Sequence, residues 1–323
     1  MKIFISDLKN YVNKNITISL LLNELTVSEN RHKNKWMELI CQDKTGEISL
    51  KVWDEQIDQT YYGLKGKVIT VTGTVGLYQN RPDIKVLKIE EEREYDWRDF
   101  VLSISQETAQ NYSERLLKYI QCVSNDSLKA LLELIISNGR FKKMAEAVGG
   151  TLHHHYLGGL LVHTVDTCDF AYFLAKRVID GGSPYGTFSS VNVDLVITGA
   201  LLHDIGKLST YSFPYGEKND RGFLVGSSAE SLLYATVYNS MLPADKRVDD
   251  LAHLNHILLT AETVDETGPK PRTIEAVIVN EANRQSMNTD GFITAFTECE
   301  KKCNSNGKKY VYSKINQTTI IRG

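Results

Sequence analysis

Two periodicities divide the chain. Up to about residue 90, apolar and polar side chains alternate, the pattern of half-buried strands. Asn15 to Leu22, Lys35 to Cys41, Glu47 to Trp53, Val68 to Val75 and Ile84 to Ile89 are the runs that carry it. The turn Asp43-Lys44-Thr45-Gly46 joins the second run to the third, and Gln79-Asn80-Arg81-Pro82-Asp83 joins the fourth to the fifth. Both read as hairpins. Short strands this closely spaced predict a small Greek-key barrel, with Gly73 placed where a barrel strand must bend. From about residue 107 the period becomes helical: Thr108 to Cys122 and Ser127 to Ser137 carry apolar residues at helical spacing, and more helices follow. Loops are expected at Asp180 to Pro184, Tyr215 to Arg221 and Thr267 to Pro271. The acidic run Glu90-Glu91-Glu92-Arg93-Glu94 reads as a solvated linker. The pattern predicts an α+β multidomain protein: a β-barrel over residues 1–90, a linker and helix over 91–125, and an all-α domain over 126–300. A mildly basic tail, 301–323, carries Lys301, Lys302, Lys308, Lys309, Lys314 and Arg322 and reads as solvated surface.

Composition narrows the classes. The 323 residues are 42% hydrophobic and 24% charged, ordinary for a soluble globular protein. A net charge of −3 excludes a uniformly basic nucleic-acid binder but leaves room for a local basic face. Five cysteines, Cys41, Cys122, Cys168, Cys299 and Cys303, form no framework. The last two could share a helix face, but no second pair completes a zinc site, so reduced intracellular thiols are expected. The start Met1-Lys2-Ile3-Phe4-Ile5-Ser6-Asp7 meets charge too early for a signal peptide. No apolar run approaches the ~20 residues that span a bilayer. A cytoplasmic protein without a membrane partner is expected.

The densest chemistry lies in Ala200-Leu201-Leu202-His203-Asp204-Ile205-Gly206-Lys207, where a His-Asp pair ends an apolar run. Upstream, Leu160-Leu161-Val162-His163-Thr164 puts another histidine on an apolar helical stretch. Imidazole plus carboxylate suits Mn²⁺, Fe²⁺, Zn²⁺ or Mg²⁺. Such an ion in a helical domain points to hydrolysis of a phosphate ester. Taken alone, a His-Asp pair is equally a buried, satisfied histidine beside a helix-capping aspartate.

Longer strings add to this. Asp43-Lys44-Thr45-Gly46-Glu47-Ile48 fits a D-x-T-G-x-I pattern, and with the five strands it resembles nucleic-acid-binding OB-folds over 1–90. His153-His154-His155-Tyr156-Leu157-Gly158-Gly159-Leu160-Leu161-Val162-His163-Thr164, followed by Leu202 to Lys207, closely resembles the HD-domain phosphohydrolases. With the barrel in front, the chain looks like the OB-plus-HD 3′-to-5′ exoribonucleases of the YhaM type, from the first strand to about residue 295. The resemblance implies metal ligands at His163, His203 and Asp204, Lys207 near the phosphate, and His153 and His154 close to the pocket. The sequence also departs from that family. Gly226 is followed by Ser227 rather than histidine, and Thr260-Ala261-Glu262 stands where the family has paired histidines. The late H-x-x-D is Asn280-Glu281-Ala282-Asn283, so Asn283 offers only a neutral oxygen as a weak ligand. Glu262, Glu281 and Asp265 are candidates to replace the missing groups. With the extra histidines gone, one divalent ion is expected and not two.

On the barrel, Trp36, Trp53 and Tyr78 are candidate stacking platforms, with Arg31, Lys33, Lys35, Lys51, Arg81 and Lys85 around them. Core packing is the competing reading for the tryptophans. The expected function is a metal-dependent 3′-to-5′ exonuclease on single-stranded RNA, with DNA as the other candidate strand. Two alternatives are kept. One is a catalytically silent relative that binds single-stranded nucleic acid, a protein partner or a second copy of itself. The other is a small-nucleotide phosphohydrolase.

Overall fold

The computed structural model describes residues 2–29, 35–53, 57, 59–79, 81–150, 153–181, 190–213, 216–262, 269–306, 310–313 and 318–321. Arg31, Lys33, Asn80, Asp265, Lys308, Lys309, Lys314 and Arg322, the side chains of Lys301, Lys302, Cys299 and Cys303, and residues 182–184, 215 and 267–268 of the three expected loops lie outside these. The chain divides into two units, 1–102 and 103–323.

The first unit is an antiparallel sheet of β1 (Asn15–Glu29), β2 (Lys35–Asp43), β3 (Gly46–Trp53), β4 (Val68–Tyr78) and β5 (Arg81–Glu91), in the order β3-β2-β1-β4-β5. Alternation buries one face: Ile16, Ile18, Met37, Leu39, Cys41, Leu50, Val52, Val71 and Val86 pack in one core. Two strands run further than their patterns suggest. In β1 the alternation fails at Leu20-Leu21-Leu22, all buried, and the register shifts between Leu22 and Glu24. Beyond that bulge, Glu24 to Glu29 still pair with β2. The β4–β5 turn is tighter than expected, because Tyr78 already pairs with Arg81 and Gly76 with Asp83. Pro82 is tolerated because β5 is an edge strand. The acidic run is likewise no simple linker: Glu90 and Glu91 are the last residues of β5, paired with Thr70 and Ile69. Gly73 sits at a register shift, and a Cβ there would stand 2.5 Å from the Lys85 carbonyl oxygen. No larger residue fits without moving the neighbouring strand.

The second unit is helical: α1 (Gln106–Cys122), α2 (Asp126–Ser137), α3 (Arg140–Met144), α4 (Gly159–Asp180), α5 (Val193–Leu202), α6 (Lys207–Thr210), α7 (Asp220–Leu224), α8 (Ser227–Met241), α9 (Ala252–Thr260) and α10 (Ile274–Asn306). Ser105 and Asn125 cap α1 and α2 by accepting from the Thr108 and Leu128 backbone N–H groups. Val196 to Leu202 are all buried, so α5 is apolar on every side and forms the centre, against α4, α9 and α10. Residues 301–323 are not only a solvated tail. Lys301 to Asn306 finish α10, and β6 (Tyr310–Ser313) pairs with β7 (Thr318–Ile321) against that helix. Among the described residues, no helix is long and apolar enough to cross a membrane. Cys41, Cys122 and Cys168 are free thiols.

Candidate metal centre

His163 lies one turn into α4, and His203 and Asp204 follow directly after α5. All three are fully buried. The Nδ1–H of His203 donates to the Ala200 carbonyl at 2.8 Å. That bond satisfies one of the carbonyls a helix end leaves open and puts the lone pair on Nε2. His163 Nδ1 stands 2.9 Å from Ser286 Oγ on α10, so its Nε2 also faces inward. The two Nε2 atoms are 3.2 Å apart, and Asp204 Oδ2 lies 3.2 Å from one and 3.4 Å from the other. With metal–ligand bonds near 2.0–2.2 Å, neighbouring ligands of one ion stand about 3.0–3.5 Å apart. Electron-rich atoms meeting in a dry interior need a proton or a cation between them. Among the described residues, Asp204 Oδ1 and Asn283 Oδ1 are buried without a hydrogen-bond partner, as expected where a cation is to be held. The residues therefore fit a divalent ion.

His153 and His154 form a second group with His163 in which three nitrogens lie within 4.8 Å of one another. They precede α4 in a tight turn. His154 takes a left-handed φ of 48°. Its N–H donates to Asp290 at 2.5 Å, and its carbonyl accepts from Gly149 at 2.9 Å. A Cβ on Gly159 would meet the His154 carbonyl oxygen at 2.0 Å, so the Gly-Gly step is what lets this turn press onto α4. Burial first, then the charge on Lys207, depresses His153 to about 3. Burial chiefly lowers His154 to about 4. Both rings are neutral at pH 7, with lone pairs to offer.

Lys207 opens α6 with its ammonium buried. It donates to the Gly149 carbonyl at 2.8 Å, stands 2.7 Å from Asp204 Oδ2, and lies 3.6 Å from Glu262 Oε1. Burial disfavours its charge, but Asp204 and Glu262 outweigh that and raise its pKa. Burial likewise works against the Asp204 carboxylate, yet Lys207 and His203 hold it well below the usual range. The lysine thus holds Asp204 in place rather than projecting freely toward a substrate. A cleft of about 210 Å³ opens beside its stem, lined by Lys143, Val148, Leu208, Tyr211 and Phe213.

The substituted half of the motif is rebuilt as a hydrogen-bonded wall. Glu262 follows α9, and its Oε2 accepts from Ser227 at 2.8 Å and Ser228 at 3.0 Å. Burial, then the charge on Asp204, raises its pKa, while Lys207 opposes them. Asn283 Nδ2 donates to the Ala261 carbonyl at 2.8 Å, and Asn280 Nδ2 to that of Thr260 at 2.8 Å, so both amides clamp the end of α9. Of the three candidate substitutes, Glu262 faces the site. Glu281 does not: it is exposed on α10 and pairs with Arg284 at 3.2 Å. Sequence reasoning overlooked Ser286, Asp290 and Ser231. Ser231 accepts from Gly206 N–H at 2.9 Å and donates to the His203 carbonyl at 2.7 Å, closing the His-Asp turn. The signal for the first two was present, since residues 283, 286 and 290 share one helical face.

On the barrel, Trp36 and Trp53 are cross-strand partners with ring centroids 6.1 Å apart. They lie on the face opposite Met37 and Val52, and Trp53 is 55% exposed, so the core-packing reading fails for it. Tyr78 is 65% exposed and paired with Arg81 at the β4–β5 turn; Lys85 is exposed opposite Thr74. Ser28 pairs with Trp36 and Asn15 with Thr74, so the tryptophans and Tyr78 mark opposite ends of β1. OB-folds bind oligonucleotides on the second and third strands and the loops flanking them.

Comparison with known proteins agrees with this architecture. The family model for an OB-fold nucleic acid binding domain matches residues 24–92, and that for an HD domain matches residues 160–288. A Listeria monocytogenes protein named 3′-5′ exoribonuclease YhaM is 25% identical over 278 residues, 84% of each chain. The protein of that name from Bacillus subtilis is 24% identical over 79% of each chain. Its namesake from a Geobacillus species is 25% identical over 63% of this chain and 60% of its own length. The chain thus joins an OB-fold nucleic acid binding domain to an HD domain, and along most of its length it is similar to the YhaM 3′-5′ exoribonucleases.

Proposed function

We propose that this protein is a metal-dependent 3′-to-5′ exonuclease of single-stranded RNA, with the strand gripped by the barrel and the phosphodiester cleaved in the helical unit. The observation that carries the reading is the convergence of His163 Nε2, His203 Nε2 and Asp204 Oδ2, 3.2–3.4 Å apart, inside the HD-matching segment. These three would hold the ion. A bound divalent ion supplies an activated water and neutralises phosphate charge. Lys207 keeps Asp204 ionised and adds positive charge beside the cleft. Ser286 and Ala200 orient the two imidazoles. Glu262, fixed by Ser227 and Ser228, puts a second carboxylate next to Asp204 and is placed to accept a proton from water.

His163 belongs to both histidine groups, but Ser286 takes its Nδ1, which leaves one nitrogen for one ion. Equilibrium dialysis against Mn²⁺ is therefore expected to give one ion per chain. Two ions would mean that Glu262 completes a second site, and none would remove the reading. One observation favours the silent-relative alternative: the Lys207 ammonium already stands 2.7 Å from Asp204 Oδ2, where it can act as the local cation. That alternative predicts single-strand binding with neither Mn²⁺ uptake nor cleavage.

A further inference from the structure

We infer that the cleft beside Lys207 holds the nucleoside of an RNA's 3′-terminal nucleotide, an assignment that rests on the exonuclease reading above and gives the strand end its subsite. One wall is the segment that follows α6. Tyr211 is extended, with φ −122° and ψ 144°. Tyr211 and Phe213 both line the cleft, as alternate residues of an extended segment do. The segment is pinned in place. Ser212 N–H donates to the Glu217 carbonyl at 2.8 Å, and Tyr211 bridges to Lys218. Gly216, at a φ of 65°, presses on Val148, where a Cβ would stand 2.0 Å from Val148 Cγ2. Val148 is buried and lines the cleft too.

Three features select the occupant. The first is continuity with the metal centre. Lys207 lines the cleft, and its ammonium lies 5.9 Å from the Tyr211 ring centroid and 2.7 Å from Asp204 Oδ2. Val148 leads into Gly149, whose N–H donates to the His154 carbonyl at 2.9 Å. The second is size. At about 210 Å³ the cleft is smaller than the about 300–1,000 Å³ of sites for drug-sized ligands, so it takes one base with its sugar and not a run of bases. The third is chemistry. Tyr211, Phe213, Val148 and Leu208 suit a flat apolar face, and Phe213 keeps 52% of its surface exposed. Lys143 and Glu146, both exposed, add one charge of each sign, whereas a pocket for phosphate alone would be cationic. With base and ribose in the cleft, the phosphate on their 5′ side faces Lys207 and the triad. Hydrolysis then breaks its bond to the preceding O3′, water giving hydroxide to phosphorus and a proton to that oxygen, and a nucleoside 5′-monophosphate leaves.

The test uses the full chain in Mn²⁺ and 5′-labelled single-stranded RNA with either an ordinary or an abasic 3′-terminal residue. Phe213→Ala is expected to lower kcat/KM for the first cleavage of the ordinary RNA about five-fold or more, the loss of one base stack. Phe213→Tyr, which keeps the ring, is expected to match wild type. Wild type should lose about as much on the abasic end, and the two losses should not add, because each removes the same contact. Equal kcat/KM on both ends, or losses that multiply, would overturn the cleft as the subsite of the strand end while sparing the exonuclease. Binding of adenosine 5′-monophosphate in EDTA separates a free nucleotide from a strand end. If that binding depends on Phe213 while the abasic end is cut as fast as the ordinary one, the cleft belongs to a free nucleotide and the proposal falls. Wild type that shortens neither RNA removes the function proposed above and the strand end with it.

Discussion

Lys207→Met is expected to cost about 3–5 kcal/mol of stability in the presence of a chelator. The variant leaves Asp204, which is fully buried, without the ammonium 2.7 Å from its Oδ2. Glu262 also loses its cation, and the Gly149 carbonyl loses a donor. Methionine fills much of the same volume, so the effect reports charge rather than packing. Urea denaturation in EDTA should show the loss as a lower midpoint. Mn²⁺ should restore part of it, because an ion at the triad offsets the same carboxylate. An unchanged midpoint in EDTA would mean that the histidines neutralise Asp204 without help from the lysine.

Asp204→Asn is expected to weaken Mn²⁺ binding by about 100-fold or more. Loss of an outer partner of a metal ligand already costs about 10–100-fold, and this change removes the only carboxylate in the triad. The amide keeps the shape of the side chain, so the turn closed by Ser231 and the clamp from Ala200 persist. RNA shortening should fall with the affinity. Wild-type Mn²⁺ affinity in this variant would place the ion elsewhere.

The barrel could be read from the sequence because a period of two is a local signal and each strand buries one face. The reading stopped short in β1, where a bulge after three buried leucines breaks the period although pairing continues to Glu29. It missed the C-terminal hairpin because four-residue strands carry too little pattern. The convergence of His163, His203 and Asp204 was legible through motif spacing, since one histidine lies on an apolar helical stretch and the His-Asp pair directly follows another. What replaces the eroded half was not legible. Glu262 reaches Lys207 from the end of a different helix, and Ser227, in place of a histidine, became its hydrogen-bond donor. Ser286 meets His163 from 123 positions away. Such pairings depend on how α4, α8, α9 and α10 pack, and no local period encodes that.

The most direct test follows a 5′-labelled single-stranded RNA incubated with the wild-type protein in Mn²⁺. The proposed chemistry predicts a ladder that shortens from the 3′ end, stops on addition of EDTA and is lost in Asp204→Asn. RNA that stays intact in Mn²⁺, or shortening that persists in EDTA or without Asp204, would contradict it.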